Sequence, residues 1–117
     1  MIKVIAMLKR KSDLTIEEFS NYWREKHAPL ANTLVPPGLA SEQKRYVQNY
    51  AVKLPGGGEP AFDGIAEICF SDLESLYKWN DWYFSDDAKP LRDDEDNFMD
   101  KSKRVIVIVE ENVITSS

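Results

Sequence analysis

The stretch Phe62-Asp63-Gly64-Ile65-Ala66-Glu67-Ile68-Cys69-Phe70 alternates strictly, with Phe62, Gly64, Ala66, Ile68 and Phe70 on one side and Asp63, Ile65, Glu67 and Cys69 on the other. A period of two over that length is the pattern of a β-strand. Directly behind it, Ser71 or Asp72 has the residue type of a helix N-cap, and Leu73, Leu76 and Tyr77 follow at helical spacing. The stretch is therefore a strand that runs straight into a helix. Upstream, Lys44 to Leu54 carries Tyr46, Val47, Tyr50 and Val52 and reads as another strand, cut off by Pro55-Gly56-Gly57-Gly58-Glu59-Pro60. Downstream, an acidic segment from Asp86 to Asp100 leads to a last strand, Arg104 to Ile114.

The beginning of the chain supplies one more strand and one more helix. Residues 2 to 9 form an apolar run ending at Lys9-Arg10-Lys11-Ser12-Asp13, which reads as a buried strand. Thr15 with Glu18 has the form of a capping box. With Ile16 as origin and 100° per residue, Phe19, Trp23, His27 and Leu30 fall within about 60° on one stripe. Pro29 disfavours helical geometry at Ala28 and donates nothing to the carbonyl of Glu25, so the helix is expected to kink or end just past His27. Val35-Pro36-Pro37-Gly38 reads as a loop.

The order is βαββαβ, that of an α+β ferredoxin-like sandwich with helices on one face of an antiparallel sheet. The other face should be wet, yet Val105, Val107 and Val109 lie on one side of the last strand and Ile106 and Ile108 on the other. Something must cover the second face, most simply a second copy of the chain. A homodimer built sheet to sheet is expected.

A chain of 117 residues is the size of a single domain, here residues 1–117. Twenty acidic against fifteen basic residues give a net charge of −5, which argues against nucleic acid or an anionic membrane as partner. The amino-terminal apolar run is too short and too alternating for a signal peptide or a membrane span. The single cysteine, Cys69, excludes an internal disulfide framework, so a reducing, cytoplasmic home is expected.

Three blocks, Phe19, Tyr22, Trp23, Arg24, His27 and Pro29, then Arg45-Tyr46-Val47-Gln48-Asn49, then Phe62-Asp63-Gly64-Ile65-Ala66-Glu67, resemble the EthD family of dimeric α/β-barrel proteins. Asp94-Glu95 followed by Phe98 and Asp100 resembles its acidic fourth block. The resemblance implies a homodimer whose sheets close into a barrel, with a ligand cleft between each sheet and its own helices. The family and its barrel relatives include cofactor-independent cyclases, lactone isomerases, dehydratases, small quinone-forming monooxygenases, haem proteins and members with no assigned activity.

His27, the only histidine, is the first candidate for chemistry, as a general acid or base on the apolar stripe. The alternative is a core histidine satisfied by a carboxylate or carbonyl. Asp63 and Glu67 share a strand face, and either is a candidate to orient His27 or act as base, against the alternative of an ion pair at an edge or dimer seam with Arg45 or Arg104. Tyr46, Tyr22 and Tyr50 are candidate donors to a developing enolate or phenolate oxygen. Tyr22, Trp23, Tyr50, Trp79, Trp82 and Phe84 are the candidate substrate-binding residues. Trp79, Trp82, Tyr83 and Phe84 crowd more rings into six residues than one helix face buries, so some should line a cleft.

The acidic run Asp86, Asp87 and Asp93 to Asp96 lacks the glycine and terminal glutamate of a calcium loop and reads as a solvated segment. No metal and no cofactor is expected. Haem through His27 ranks below the other readings, because a histidine under a tryptophan leaves little room for a macrocycle. The chemistry expected is acid/base transformation of a small hydrophobic oxygenated ring or polyketide-like compound, by dehydration, isomerisation or cyclisation. The competing reading is a non-catalytic small-ligand carrier or accessory dimer.

Overall fold

Thr15 fixes where the first helix begins. Its hydroxyl accepts a hydrogen bond from the Glu18 backbone N–H at 3.0 Å, and the Glu18 carboxylate accepts one from the Thr15 N–H at 2.9 Å, the reciprocal capping box its sequence announces. In the computed structural model, which describes residues 1–117, this cap stands between strand β1 (Ile2–Leu8) and helix α1 (Ile16–Tyr22).

The helical run does not end past His27 but widens there. A π-helical turn, Trp23–His27, hands over directly to α2 (Ala28–Leu34), with Pro29 in the first turn of α2. The proline removes a donor, and the wider turn absorbs the loss: the Ala28 N–H reaches back to the Trp23 carbonyl. Val35 and Pro36 leave the helix in extended geometry, but Pro37–Ala40 then closes a short helix, α3, where the Pro-Pro-Gly sequence reads as a loop. Proline fits the first position of a helix because its missing N–H is not needed there.

Strands β2 (Gln43–Tyr50) and β3 (Gly64–Phe70) follow, and the latter leads to α4 (Leu73–Tyr83), capped by the Asp72 carboxylate accepting from the Ser75 N–H at 2.9 Å. The acidic segment is not simply solvated. It folds into a 3₁₀ turn (Asp86–Ala88) and helix α5 (Lys89–Glu95), and buries Ala88, Leu91, Glu95, Phe98 and Met99. The chain then closes with β4 (Val105–Glu110).

The four strands form one antiparallel sheet in the order β2-β3-β1-β4, and the helices lie on one face. This is the α+β, ferredoxin-like fold. The helix-facing side is the Gly64, Ala66, Ile68, Phe70 side of β3, joined across the register by Leu8, Ala6, Val4 and Ile2 of β1. Trp23 and Phe19 sit on Gly64 so closely that a Cβ there would lie 2.7 Å from Trp23 Cζ3 and 3.1 Å from Phe19 Cε1. Glycine at 64 lets α1 and the π turn descend onto the sheet. Phe19, Trp23, Leu8, Ala66, Phe98 and Met99 pack there as one core cluster, while Val4, Ile68, Phe70 and Leu76 form a second under α4.

The opposite face carries Ile5, Met7, Ile65, Cys69, Val105, Val107 and Val109, interrupted by Lys3 and Glu67, and no helix covers it. Val105 and Val107 are each 42% exposed.

Candidate functional site

Between the helix-facing side of the sheet and the helices lies a cavity of about 400 Å³, and seventeen of its 23 lining residues are hydrophobic. The floor is Val4, Ala6, Ala66, Ile68, Ile106 and Ile108; Trp23, His27, Ala31, Trp79, Tyr83 and Phe84 come down from the helices. A cavity of this size and polarity suits a small, mainly apolar ligand.

The π turn places His27 at the wall, 6% exposed, with Phe98 packed at 4.9 Å between ring centroids. Its Nδ1 lies 2.8 Å from Asp94 Oδ2. A carboxylate only accepts, so Nδ1 carries the proton and donates, leaving Nε2 as the nitrogen without a protein partner. Asp94 is itself held: Tyr22 donates to its Oδ1 at 2.6 Å and the Asn97 side-chain amide at 3.2 Å. Burial pushes the Asp94 carboxyl up, but the hydrogen bonds from Tyr22, His27 and Asn97 outweigh it and hold the group below the usual carboxylate range. Burial and the same carboxylate raise the Tyr22 hydroxyl.

A second polar group stands on the same cavity wall. Glu95, 6% exposed, accepts on Oε1 from the Tyr83 hydroxyl at 2.5 Å and from Arg104 Nη1 at 3.4 Å, and the same oxygen is ion-paired with Lys101 Nζ at 3.2 Å. Burial, then the Glu95 charge and hydrogen bond, push the Tyr83 hydroxyl far up, so it stays protonated. Burial works against the Arg104 charge, but Tyr83 and Glu95 more than restore it.

Of the residues singled out in the sequence, His27, Tyr46, Trp23, Trp79 and Phe84 line the cavity. Tyr46 projects from β2 on the helix-facing side, and its hydroxyl accepts a 3.4 Å hydrogen bond from Gln48. Asp63 and Glu67 are not there. Asp63 lies just before β3, fully buried, where it accepts from the Arg10 backbone N–H at 2.8 Å and from Arg10 Nη1 at 2.6 Å. Glu67 is on the helix-free face, 3.6 Å from Lys3 Nζ. Glu67 is on the face of β3 that points away from the helices and Asp63 is held by Arg10 ahead of that strand, so the carboxylate paired with His27 is Asp94 instead. Their partners are Arg10 and Lys3 rather than the Arg45 or Arg104 named as the alternative.

Tyr22 reaches the site only through Asp94. Tyr50 packs edge-on against Trp23 at 5.6 Å and donates to Gln48 Oε1 at 2.5 Å, away from the cavity. Trp82 turns into a separate cluster with Ala88 and Leu91. Tyr83 was expected among the rings at a cleft, Arg104 only as an ion-pair partner, and Asp94 and Glu95 only in the block that resembles the EthD family; neither carboxylate nor Arg104 was legible as a member of the site. Two signals were available: that acidic block, and the spacing of Leu91, Glu95 and Phe98, which gives the segment a helical inner face.

A model of the EthD domain matches residues 11–102. The chain belongs to the EthD family. No curated protein matches this EthD protein. Among solved structures, an ethyl tert-butyl ether D (EthD) family protein from Bacillus halodurans is 25% identical, with 96% of this chain and 99% of that chain covered and a TM-score of 0.67. A dimeric protein of unknown function and ferredoxin-like fold from Bacteroides fragilis is 15% identical over 94% of this chain and 95% of that one, at a TM-score of 0.60. A hydroxynitrile lyase from Passiflora edulis is 15% identical over 98% and 96%, at a TM-score of 0.63.

Proposed function

We propose that this EthD protein is a cofactor-independent acid/base catalyst for a small hydrophobic oxygenated ring or polyketide-like compound. The observation that carries the reading is His27 on the wall of an apolar cavity, its Nδ1 anchored to Asp94 and its Nε2 without a protein partner. An imidazole oriented through one nitrogen is the arrangement a general base needs at the other. Nε2 takes a proton from carbon beside a carbonyl. Returning that proton to a different carbon completes an isomerisation; passing it to a departing hydroxyl completes a dehydration.

Tyr46 serves as donor to the carbonyl oxygen as it gains charge, and Trp79 and Phe84 bound the space for a flat ring. Asp94 is a positioning residue, since it acts through His27. The hydroxynitrile lyase among the fold neighbours supports lyase chemistry on this fold. The uncovered apolar face of the sheet, together with a dimeric fold neighbour, supports a homodimer joined face to face through the sheets.

Ring-proton NMR of the single histidine, recorded while phenols, lactones and quinones are added, tests the site. A ligand of the right class shifts the His27 resonances, and His27→Ala then lowers turnover of that ligand on the order of 100-fold or more while the chain stays folded at the assay temperature. A ring indifferent to every ligand, with His27→Ala acting only on stability, overturns the proposal in favour of a structural histidine.

A further inference from the structure

Resting on that reading of the cavity, we propose that Arg104 is the specificity-determining residue of the site and that the ligand carries a carboxylate beside its apolar ring. Arg104 lines the cavity, its side chain 19% exposed. Only Nη1 is engaged, with the Tyr83 hydroxyl at 3.3 Å and Glu95 Oε1 at 3.4 Å; Nη2 and Nε make no hydrogen bond to protein. A guanidinium held at one corner keeps an edge free, and that edge matches the two oxygens of a carboxylate.

The charge balance of the wall points the same way. Glu95 is the one carboxylate beside Arg104, and its Oε1 already accepts from Tyr83 and is paired with Lys101, which is not among the cavity-lining residues. Lys101 shares Glu95 with Arg104 and also lies 3.4 Å from Asp96, so Glu95 is divided between two cations and Arg104 does not have it to itself. His27, facing the same space, is paired with Asp94 through Nδ1 and adds no competing acid. The remaining wall is mainly hydrophobic, so an anion placed there is strongly felt. Tyr83 and Glu95 hold the guanidinium in place; they do not compete for its free edge.

The assignment gives the ligand a direction as well as a class. Its carboxylate lies at Arg104, beside Tyr83, and its apolar ring lies against the hydrophobic remainder of the lining.

Calorimetric titration of the full chain with naphthoate and with the matching neutral naphthamide tests this. Naphthoate should bind more tightly, on the order of 10-fold to 100-fold, the range of a hydrogen-bonded charge. Arg104→Met should abolish the preference by weakening naphthoate alone, and Arg104→Lys should retain part of it. Melting curves check that each variant folds, and Arg104→Lys carries the test if Arg104→Met does not. Equal binding of acid and amide by the native chain, or an unchanged preference in the variants, overturns the role of Arg104 and leaves the cavity reading standing. Binding of neither overturns the cavity as a ring site, and the proposed function with it.

Discussion

Two carboxylates adjacent in sequence do two different jobs. Asp94 holds His27 and Tyr22, whereas Glu95 turns to Tyr83, Lys101 and Arg104. Because Asp94 titrates below its ordinary range in the folded chain, its stabilisation is present above the unfolded-state value and disappears as pH falls through the folded one. That places the loss below about pH 4. Asp94→Asn should therefore lower the melting temperature at neutral pH and leave a smaller further fall on acidification to about pH 3 than the native chain shows; an equal fall in both would deny Asp94 this role. His27 was legible as a candidate because helical spacing alone puts it on the Phe19–Trp23 stripe. Its partner was not. Asp94 lies 67 residues away, and no local pattern reports a contact across that separation. Asp63 and Glu67 looked eligible because alternation says which residues share a face but not which face the helices cover.

At the scale of elements, the capping box, the strands and the second helix were readable, since each is set by neighbours within a few positions, although β2 stops at Tyr50 rather than Leu54 and β4 at Glu110 rather than Ile114. The π turn was only half readable. Pro29 announces a break in the hydrogen-bond ladder, but whether a helix ends or merely widens depends on whether the residues beyond it have something to pack on. Leu30, Ala31 and Leu34 do, against the cluster of Trp82, Tyr83 and Leu91. Gly64 is the matching feature on the sheet. Gly64→Ala brings a methyl group to within 2.7 Å of the Trp23 ring, and overpacking of this kind costs roughly 1–3 kcal/mol. Urea denaturation should show that loss. Because the displaced ring belongs to the turn that carries His27, the histidine resonances should shift in the same variant; unaltered stability would mean the tryptophan moves aside freely.

For the whole molecule, the sheet order and the placement of the helices together on one side follow from the βαββαβ succession, and the apolar residues on both faces of the last strand betrayed the uncovered surface. The cavity itself was beyond sequence reading, because its volume is what remains after several helices have packed. If the free face is the seam between two copies, a charge in its middle should separate them. Val107→Asp should elute from a sizing column as a monomer where the native chain elutes as a dimer, with its circular dichroism unchanged. A native chain that already runs as a monomer at micromolar concentration would remove the face-to-face pairing.

Strand β4 is an edge strand with Ile106 and Ile108 on the cavity side and Val105 and Val107 on the other. One strand therefore faces the cavity with one set of side chains and the uncovered surface with the other. If two copies pair through that face, as proposed, a ligand in the cavity and the sister chain would press on the same strand from opposite sides, the one on Ile106 and Ile108, the other on Val105 and Val107.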